Sequence, residues 1–122
     1  MSKKVLTGLA VGACLASSFA LLGVTNAYAA GCNTYANVPR KNGSSAVAAG
    51  GKTGQCQASH FRVSLFHKTW RWDDEIAKQD AYNVRNVRLE AWGKPVNGWE
   101  LYTKAQDFSG ATQLSATMTF RS

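Results

Sequence analysis

The residues best suited to binding chemistry are aromatic and cationic side chains in the segment "HKTWRW", residues 67–72. In an extended segment Trp70 and Trp72 lie on one face, with Lys68 and Arg71 beside them. Aromatic rings interleaved with cations suit sugars, membrane interfaces and single-stranded nucleic acid. Core and strand-edge packing of the same rings is the alternative. The hypothetical binding residues are Lys68, Trp70, Arg71, Trp72, Arg88 and Tyr102.

Acid–base chemistry has few candidate residues. The only histidines, His60 and His67, are seven residues apart, which places them on opposite faces of one strand and makes them poor partners for one metal. His67 facing Glu75 across a hairpin, with Arg71 or Arg88 as an anion clamp, is the basis of a ribonuclease-like alternative. No serine stands in a G-x-S-x-G context. We therefore expect a protein without catalytic residues, metal or cofactor.

Two further motifs favour ordinary structural interpretations. "AVAAGGKT" resembles a phosphate-binding loop, but the required first glycine is Ala46, so we interpret it as a flexible loop and expect no nucleotide. The acidic cluster at residues 73–75 lacks the alternating ligands of a calcium loop and is interpreted as a solvated turn or helix start.

The beginning of the chain has the layout of a secretory signal peptide. Lys3 and Lys4 precede an apolar run, and Ala27-Tyr28-Ala29 is a small-x-small cleavage signal, so residues 1–29 are predicted to be removed. Residues 30–122 would form one domain without a transmembrane span. That part retains twelve of the fourteen Lys and Arg and all seven acids, a formal net charge of +5. This charge favours anionic partners, or serves solubility alone.

The two cysteines outside the leader, Cys32 and Cys56, predict a disulfide in an oxidising compartment. It would close a glycine-rich N-terminal segment, residues 30–57, ahead of a sheet core at residues 58–122. The alternative is a lipid anchor, because "AAGC" before Cys32 resembles the end of a lipoprotein signal. Lipidation would leave Cys56 as a free thiol outside the cell.

Period-two alternation dominates the remainder of the chain. It predicts strands in "HFRVSLFHKTW", "NVRLEAW", "WELYTKA" and "TQLSATMTFR", with a weaker strand in "TYANVPR". Turn signals between them indicate an all-β fold, a small antiparallel sandwich or barrel with one disulfide. Residues 73–84 fit either a strand returning on residues 62–70 or a short helix, which would make the fold α+β. The period of three in "NVRNVR" indicates a bulge.

These features favour a secreted, non-enzymatic binding protein. Its expected partner is an anionic polymer, a glycan or an extracellular protein, and an antimicrobial or bacteriocin-like role is one concrete form. Two alternatives stay open. One is an inhibitor of a hydrolase that presents the "KNGSSAVAAGGKTG" loop, and the other is the ribonuclease-like hydrolase.

Overall fold

A computed structural model describes residues 31–122, which form two antiparallel sheets. The predicted signal peptide lies outside the described residues. The strands are β1 (Cys32–Ala36), β2 (Arg40–Asn42), β3 (Ser45–Gly54), β4 (Ser59–Lys68), β5 (Asp74–Val84), β6 (Val87–Gly93), β7 (Glu100–Asp107), β8 (Ala111–Leu114) and β9 (Met118–Thr119). The all-β prediction is confirmed, and no helix occurs in this part of the chain.

Sheet A contains β1, β2, β3 and β6, and sheet B contains β4, β5, β7, β8 and β9. In sheet A the central strand β3 pairs with β6 along one edge, while β1 and β2 pair with separate halves of the other edge. In sheet B the order is β5-β4-β7-β8, and β9 pairs with β7 after β8. The core lies between the sheets and is formed by Ala46, Ala48, Phe61, Val63, Leu65, Ala91, Leu101, Ala105 and Phe120.

The glycine-rich segment predicted to be a flexible loop is instead the central strand β3, and residues 46–52 in it are buried. Its small residues are required by close packing. A Cβ on Gly50 would lie 2.7 Å from the carbonyl oxygen of Tyr35, and one on Gly51 would lie 2.1 Å from that of Val87. Of the segment that the inhibitor alternative would present, residues 41–54, only the exposed turn at residues 43–44 lies outside a strand.

Residues 74–84 of the segment 73–84 form the strand β5, so the strand interpretation is confirmed and the helical alternative is wrong. Its backbone pairs with β4 over nearly its whole length. Two irregularities interrupt the register, one opposite His60 and one at Ile76. The first contains Asn83, the first residue of "NVRNVR", with a φ of 57°. The predicted bulge is therefore present.

The last predicted strand, residues 112–121, is not continuous but divides into β8 and β9. The division occurs at Ser115, whose hydroxyl oxygen accepts the hydrogen bond of the Thr103 amide at 2.9 Å. The Ser115 amide still donates to the Thr103 carbonyl at 2.9 Å, but the Ser115 side chain replaces its carbonyl as acceptor. The chain then leaves the sheet until Met118 pairs with Leu101. The weaker strand of "TYANVPR" likewise divides into β1 and β2, with Pro39 between them.

Cys32 and Cys56 form the predicted disulfide, with an S–S distance of 2.00 Å. The sulfur of Cys32 is therefore occupied and cannot carry a thioether-linked lipid. The bridge ties the start of β1 to the connection that leads from sheet A to sheet B. Within the described residues there is no helix long and apolar enough to cross a membrane.

A buried ion pair joins the two sheets close to the disulfide. Lys52 of β3 is fully buried, and its Nζ lies 3.1 Å from Oδ2 of Asp107, the last residue of β7. The ammonium also donates to the carbonyl of Gln57 at 2.9 Å and to the hydroxyl of Ser59 at 2.7 Å. Asp107 Oδ1 accepts hydrogen bonds from the Ser59 hydroxyl at 2.5 Å and the Ser109 amide at 3.0 Å. The lysine that sequence analysis placed in a flexible loop is a core residue.

Candidate functional site: the tryptophan loop and its cleft

The five residues between β4 and β5, Thr69 to Asp73, form what we call the tryptophan loop. Its two indoles face solvent, with Trp70 88% exposed and Trp72 68% exposed. The guanidinium carbon of Arg71 lies 4.9 Å from the Trp70 ring centroid and 5.3 Å from that of Trp72. The cation therefore contacts both rings and organises them as one unit. Core packing, the alternative for these rings, does not apply to this pair.

Side-chain hydrogen bonds close the loop at its base. Asp73 Oδ1 accepts the amide of Thr69 at 3.1 Å, and the Thr69 hydroxyl donates to the carbonyl of Trp72. Asp73 Oδ2 accepts the hydroxyl of Tyr102 on β7 at 2.7 Å. The hydrogen bonds from Tyr102 and Thr69 hold the pKa of Asp73 below its usual value. A loop closed in this way presents its rings in a defined arrangement before any partner arrives.

Beside the base of the loop is an open cleft with a volume of about 180 Å³. A cleft of this size holds several water molecules, so a polar ligand can enter it. The lining residues are Lys68, Asp73, Tyr102, Leu114, Ser115 and Thr117.

The polar groups of the cleft include both donors and acceptors. The Lys68 ammonium has no hydrogen bond or ion pair within residues 31–122, so its three N–H donors are available to a ligand. The Ser115 hydroxyl is oriented by its bond to the carbonyl of Ala116 at 2.8 Å, and that of Thr117 by its bond to Glu100 at 3.2 Å. Burial and the hydrogen bond to Asp73 raise the pKa of Tyr102 to about 12, so its hydroxyl keeps its proton at neutral pH.

Five of the six predicted binding residues thus belong to one region of the fold. Lys68, Trp70, Arg71 and Trp72 are in or next to the tryptophan loop, and Tyr102 anchors it. The sixth, Arg88, lies on β6 in sheet A, where it forms an ion pair with Glu90 at 2.8 Å.

Sequence analysis missed the role of Asp73, which it assigned to a solvated turn. The signal was present, because an Asp or Thr side chain commonly bonds to backbone groups a few residues away in a turn. Leu114, Ser115 and Thr117 were missed because they reach the cleft only through the break between β8 and β9. No local pattern predicts that break.

The histidines do not form a catalytic pair with Glu75. His67 stacks on Trp99 with ring centroids 3.9 Å apart, whereas Glu75 accepts a hydrogen bond from Ser64 at 2.6 Å. Since Ser64 and His67 are an odd number of residues apart on the regular strand β4, the two side chains lie on opposite faces of sheet B. The acid–base arrangement of the ribonuclease-like alternative is therefore not assembled.

His60 is the centre of a separate aromatic stack on the outer face of sheet B. Its ring lies 4.3 Å from that of Tyr82 and 4.0 Å from that of Phe108, centroid to centroid. Its Nε2 is 2.6 Å from Asp80 Oδ1, an oxygen that also accepts the Arg62 Nε–H at 2.8 Å. This stack joins three chain segments beside the bulge. Within residues 31–122 no group of three or more His, Cys, Asp or Glu side chains could hold a metal.

Fold and site together define a small two-sheet β-protein with one disulfide and a solvent-facing tryptophan loop. Comparison with known proteins finds no matching family model, no similar curated protein and no similar solved structure. The function must therefore be argued from the geometry of the site.

Proposed function

We propose that this chain is a secreted, non-enzymatic protein that binds a glycan through the tryptophan loop and the adjoining cleft. The observation that carries the proposal is the exposure of Trp70 and Trp72 on a loop whose conformation is fixed by Thr69, Asp73 and Tyr102. Exposing large apolar rings to water is unfavourable in free energy, and a partner that covers the rings removes this penalty. Sugars present flat apolar faces to aromatic rings and hydroxyls at their edges, which matches this combination of rings and mixed polar groups.

The charge around the loop favours a neutral glycan over a polyanion. Two cations, Lys68 and Arg71, lie among four carboxylates within or directly beside the loop, namely Asp73, Asp74, Glu75 and Glu100. A third cation, Lys104, lies 5.7 Å from the ring of Phe66, the cross-strand partner of Glu75. This end of the molecule therefore carries both signs of charge and lacks the concentrated positive surface that attracts a polyanion. Sugar hydroxyls can donate to a carboxylate and accept from an ammonium, so the same residues support their binding.

Two observations support secretion, the pattern of the leader and the disulfide. The sequence of residues 1–29 has the pattern of a signal peptide, and disulfides persist mainly in oxidising compartments. The Cys32–Cys56 bridge occupies the only thiols within residues 31–122. A free, diffusible product follows, since Cys32 is not available for lipidation.

The test is affinity electrophoresis of the purified protein through gels that contain one neutral polysaccharide each: dextran, mannan, xylan, β-glucan or soluble chitin. At least one should retard the protein. Trp70→Ala and Trp72→Ala should each weaken binding about 30-fold, because truncating a central tryptophan costs about 2 kcal/mol or more. Tyr82→Ala is the control, since Tyr82 is also a large exposed aromatic residue but lies beside His60, at the end of β5 away from the tryptophan loop.

Salt provides a second, independent readout. Binding through stacking and neutral hydrogen bonds should change little between low and physiological ionic strength, because screening acts on charges. The proposal is wrong if none of the polymers retards the protein, or if Tyr82→Ala weakens binding as much as Trp70→Ala.

A further inference from the structure

On the outer face of sheet A, small residues of β3 are covered by long side chains from the neighbouring strands β2 and β6. On this face of β3 lie Val47 and Ala49, which are 1% and 2% exposed although they point away from the core. Val47 pairs with Arg40 of β2 on one side and with Trp92 of β6 on the other. Cross-strand partners are neighbours on one face of a sheet, so these two long side chains flank and cover the small residues of β3.

Glu90 holds the covering side chains together. Its Oε2 accepts Arg88 at 2.8 Å and Arg40 at 3.3 Å, and its Oε1 accepts the indole N–H of Trp92 at 3.3 Å. The bonds from Arg88 and Trp92 hold the pKa of Glu90 below its usual value, so the carboxylate stays charged. We call Arg40, Arg88, Glu90 and Trp92 the arginine platform.

The platform has unused binding capacity. Each guanidinium carries five N–H donors, and each arginine side chain is 50% exposed. A single carboxylate cannot use all these donors, and the two arginines with one glutamate leave a net charge of +1. Trp92 is 51% exposed and is fixed in place by its N–H bond, so it offers an aromatic surface next to the two cations.

We propose that the arginine platform binds the acid groups of an acidic polysaccharide, with carboxylate or sulfate oxygens on Arg40 and Arg88 and the sugar ring against Trp92. Planar guanidinium groups match the two oxygens of such an acid group, which an ammonium does not. The adjacent ring distinguishes a charged sugar from a simple anion. This site lies on the other sheet from the tryptophan loop and does not depend on the function proposed for that loop.

The experiment measures binding of the full protein to polygalacturonate, which carries carboxylates, and to dextran sulfate, which carries sulfates. Neutral dextran and a single-stranded oligonucleotide of matched charge are the comparison ligands. We expect binding to at least one acidic polymer, tighter than to the oligonucleotide, and which polymer binds identifies the acid group. Arg40→Gln with Arg88→Gln should weaken it roughly tenfold or more, since bonds to charged groups are the stronger class.

The matched control is Lys78→Gln with Lys104→Gln, which removes the same number of charges from sheet B. It should change binding less than twofold. Arg88→Lys keeps the charge and should still weaken binding, and Trp92→Ala should weaken binding of whichever acidic polymer binds. Thermal unfolding of each variant shows whether the fold is retained.

The inference is overturned by any of three results: neither acidic polymer binds, the oligonucleotide binds as tightly as the better polymer, or both double variants lose binding equally. The last result would mean attraction by net charge alone. Retained binding of neutral glycans by the platform variants would show that the two sites are separate.

Discussion

Replacing Lys52 with methionine tests whether the sheets are joined by the buried ion pair. The substitution keeps an unbranched apolar side chain but removes the ammonium and its bonds to Gln57, Ser59 and Asp107. The Asp107 carboxylate, itself fully buried, would then lose its cation. Burying a charge without its ion-pair partner is much more costly than burying the pair.

The expected loss is about 3–5 kcal/mol of the free energy of unfolding, the usual effect of removing one partner of a buried pair. Domains of this size are stable by about 5–15 kcal/mol, so Lys52→Met should remove a large part of the total. At about 4–8 °C per kcal/mol, the melting temperature should fall by roughly 12–40 °C.

The assay is urea denaturation of the oxidised protein, followed by tryptophan fluorescence. Lys78→Met is the matched control, because Lys78 is exposed on β5, and its effect should stay within about 0.5 kcal/mol. Asp107→Leu and the double variant complete a cycle, in which the double variant should lose about 1–3 kcal/mol less than the two single losses added together. A loss below about 1 kcal/mol for Lys52→Met, or simple additivity in the cycle, would refute the reasoning.

Three further predictions concern stability and titration. Replacing Cys32 and Cys56 by serine should cost about 3–4 kcal/mol by the chain-entropy model for a bridge of sequence separation 24, measured as the shift in denaturation midpoint, and a reductant should shift wild type alone. Thr103 is fully buried, and its Oγ1 has no hydrogen-bond partner among residues 31–122, so the nearly isosteric Thr103→Val should stabilise the protein by about 1 kcal/mol; a destabilised variant would show that the hydroxyl is bonded. Because Tyr102 has a pKa of about 12 against an ordinary 10.0, its contribution to stability is complete below pH 10 and is lost as pH rises toward 12. Ultraviolet titration of tyrosinate should show a late-titrating group that Tyr102→Phe removes and Asp73→Asn shifts to lower pH, and an unchanged curve in Tyr102→Phe would contradict the assignment.

The strands β4, β6 and β7 were predictable because each has one face on the core and one face outward, which produces alternation in the sequence. The strand β3 was not predictable by the same reasoning. Both of its faces are covered, one by the core and one by the arginine platform, so Ala46–Lys52 shows no alternation. Its glycines and alanines resemble a flexible loop, although they are small because neighbouring chains approach closely.

The site was predictable only in its local part. Trp70 and Trp72 are close in sequence and are identified directly, whereas the hydrogen bond from Tyr102 to Asp73 joins distant segments and has no local signal. The burial of Lys52 and the position of Arg88 depend on which strands become neighbours, and that is decided by pairing between distant segments. A local pattern carries no information on such pairing, so charge alone could not show which cations are free.

The residues that fix the conformation of the tryptophan loop are different from the residues that the loop exposes to solvent. Thr69, Asp73 and Tyr102 set its conformation through their own hydrogen bonds, and residues 70–72 contribute only the carbonyl of Trp72 to that closure. The side chains of residues 70–72 can therefore be substituted together while the residues that support the loop stay the same. A library randomised at these three positions should retain the wild-type melting temperature and differ only in ligand preference, which would make this small β-protein a source of new binding specificities.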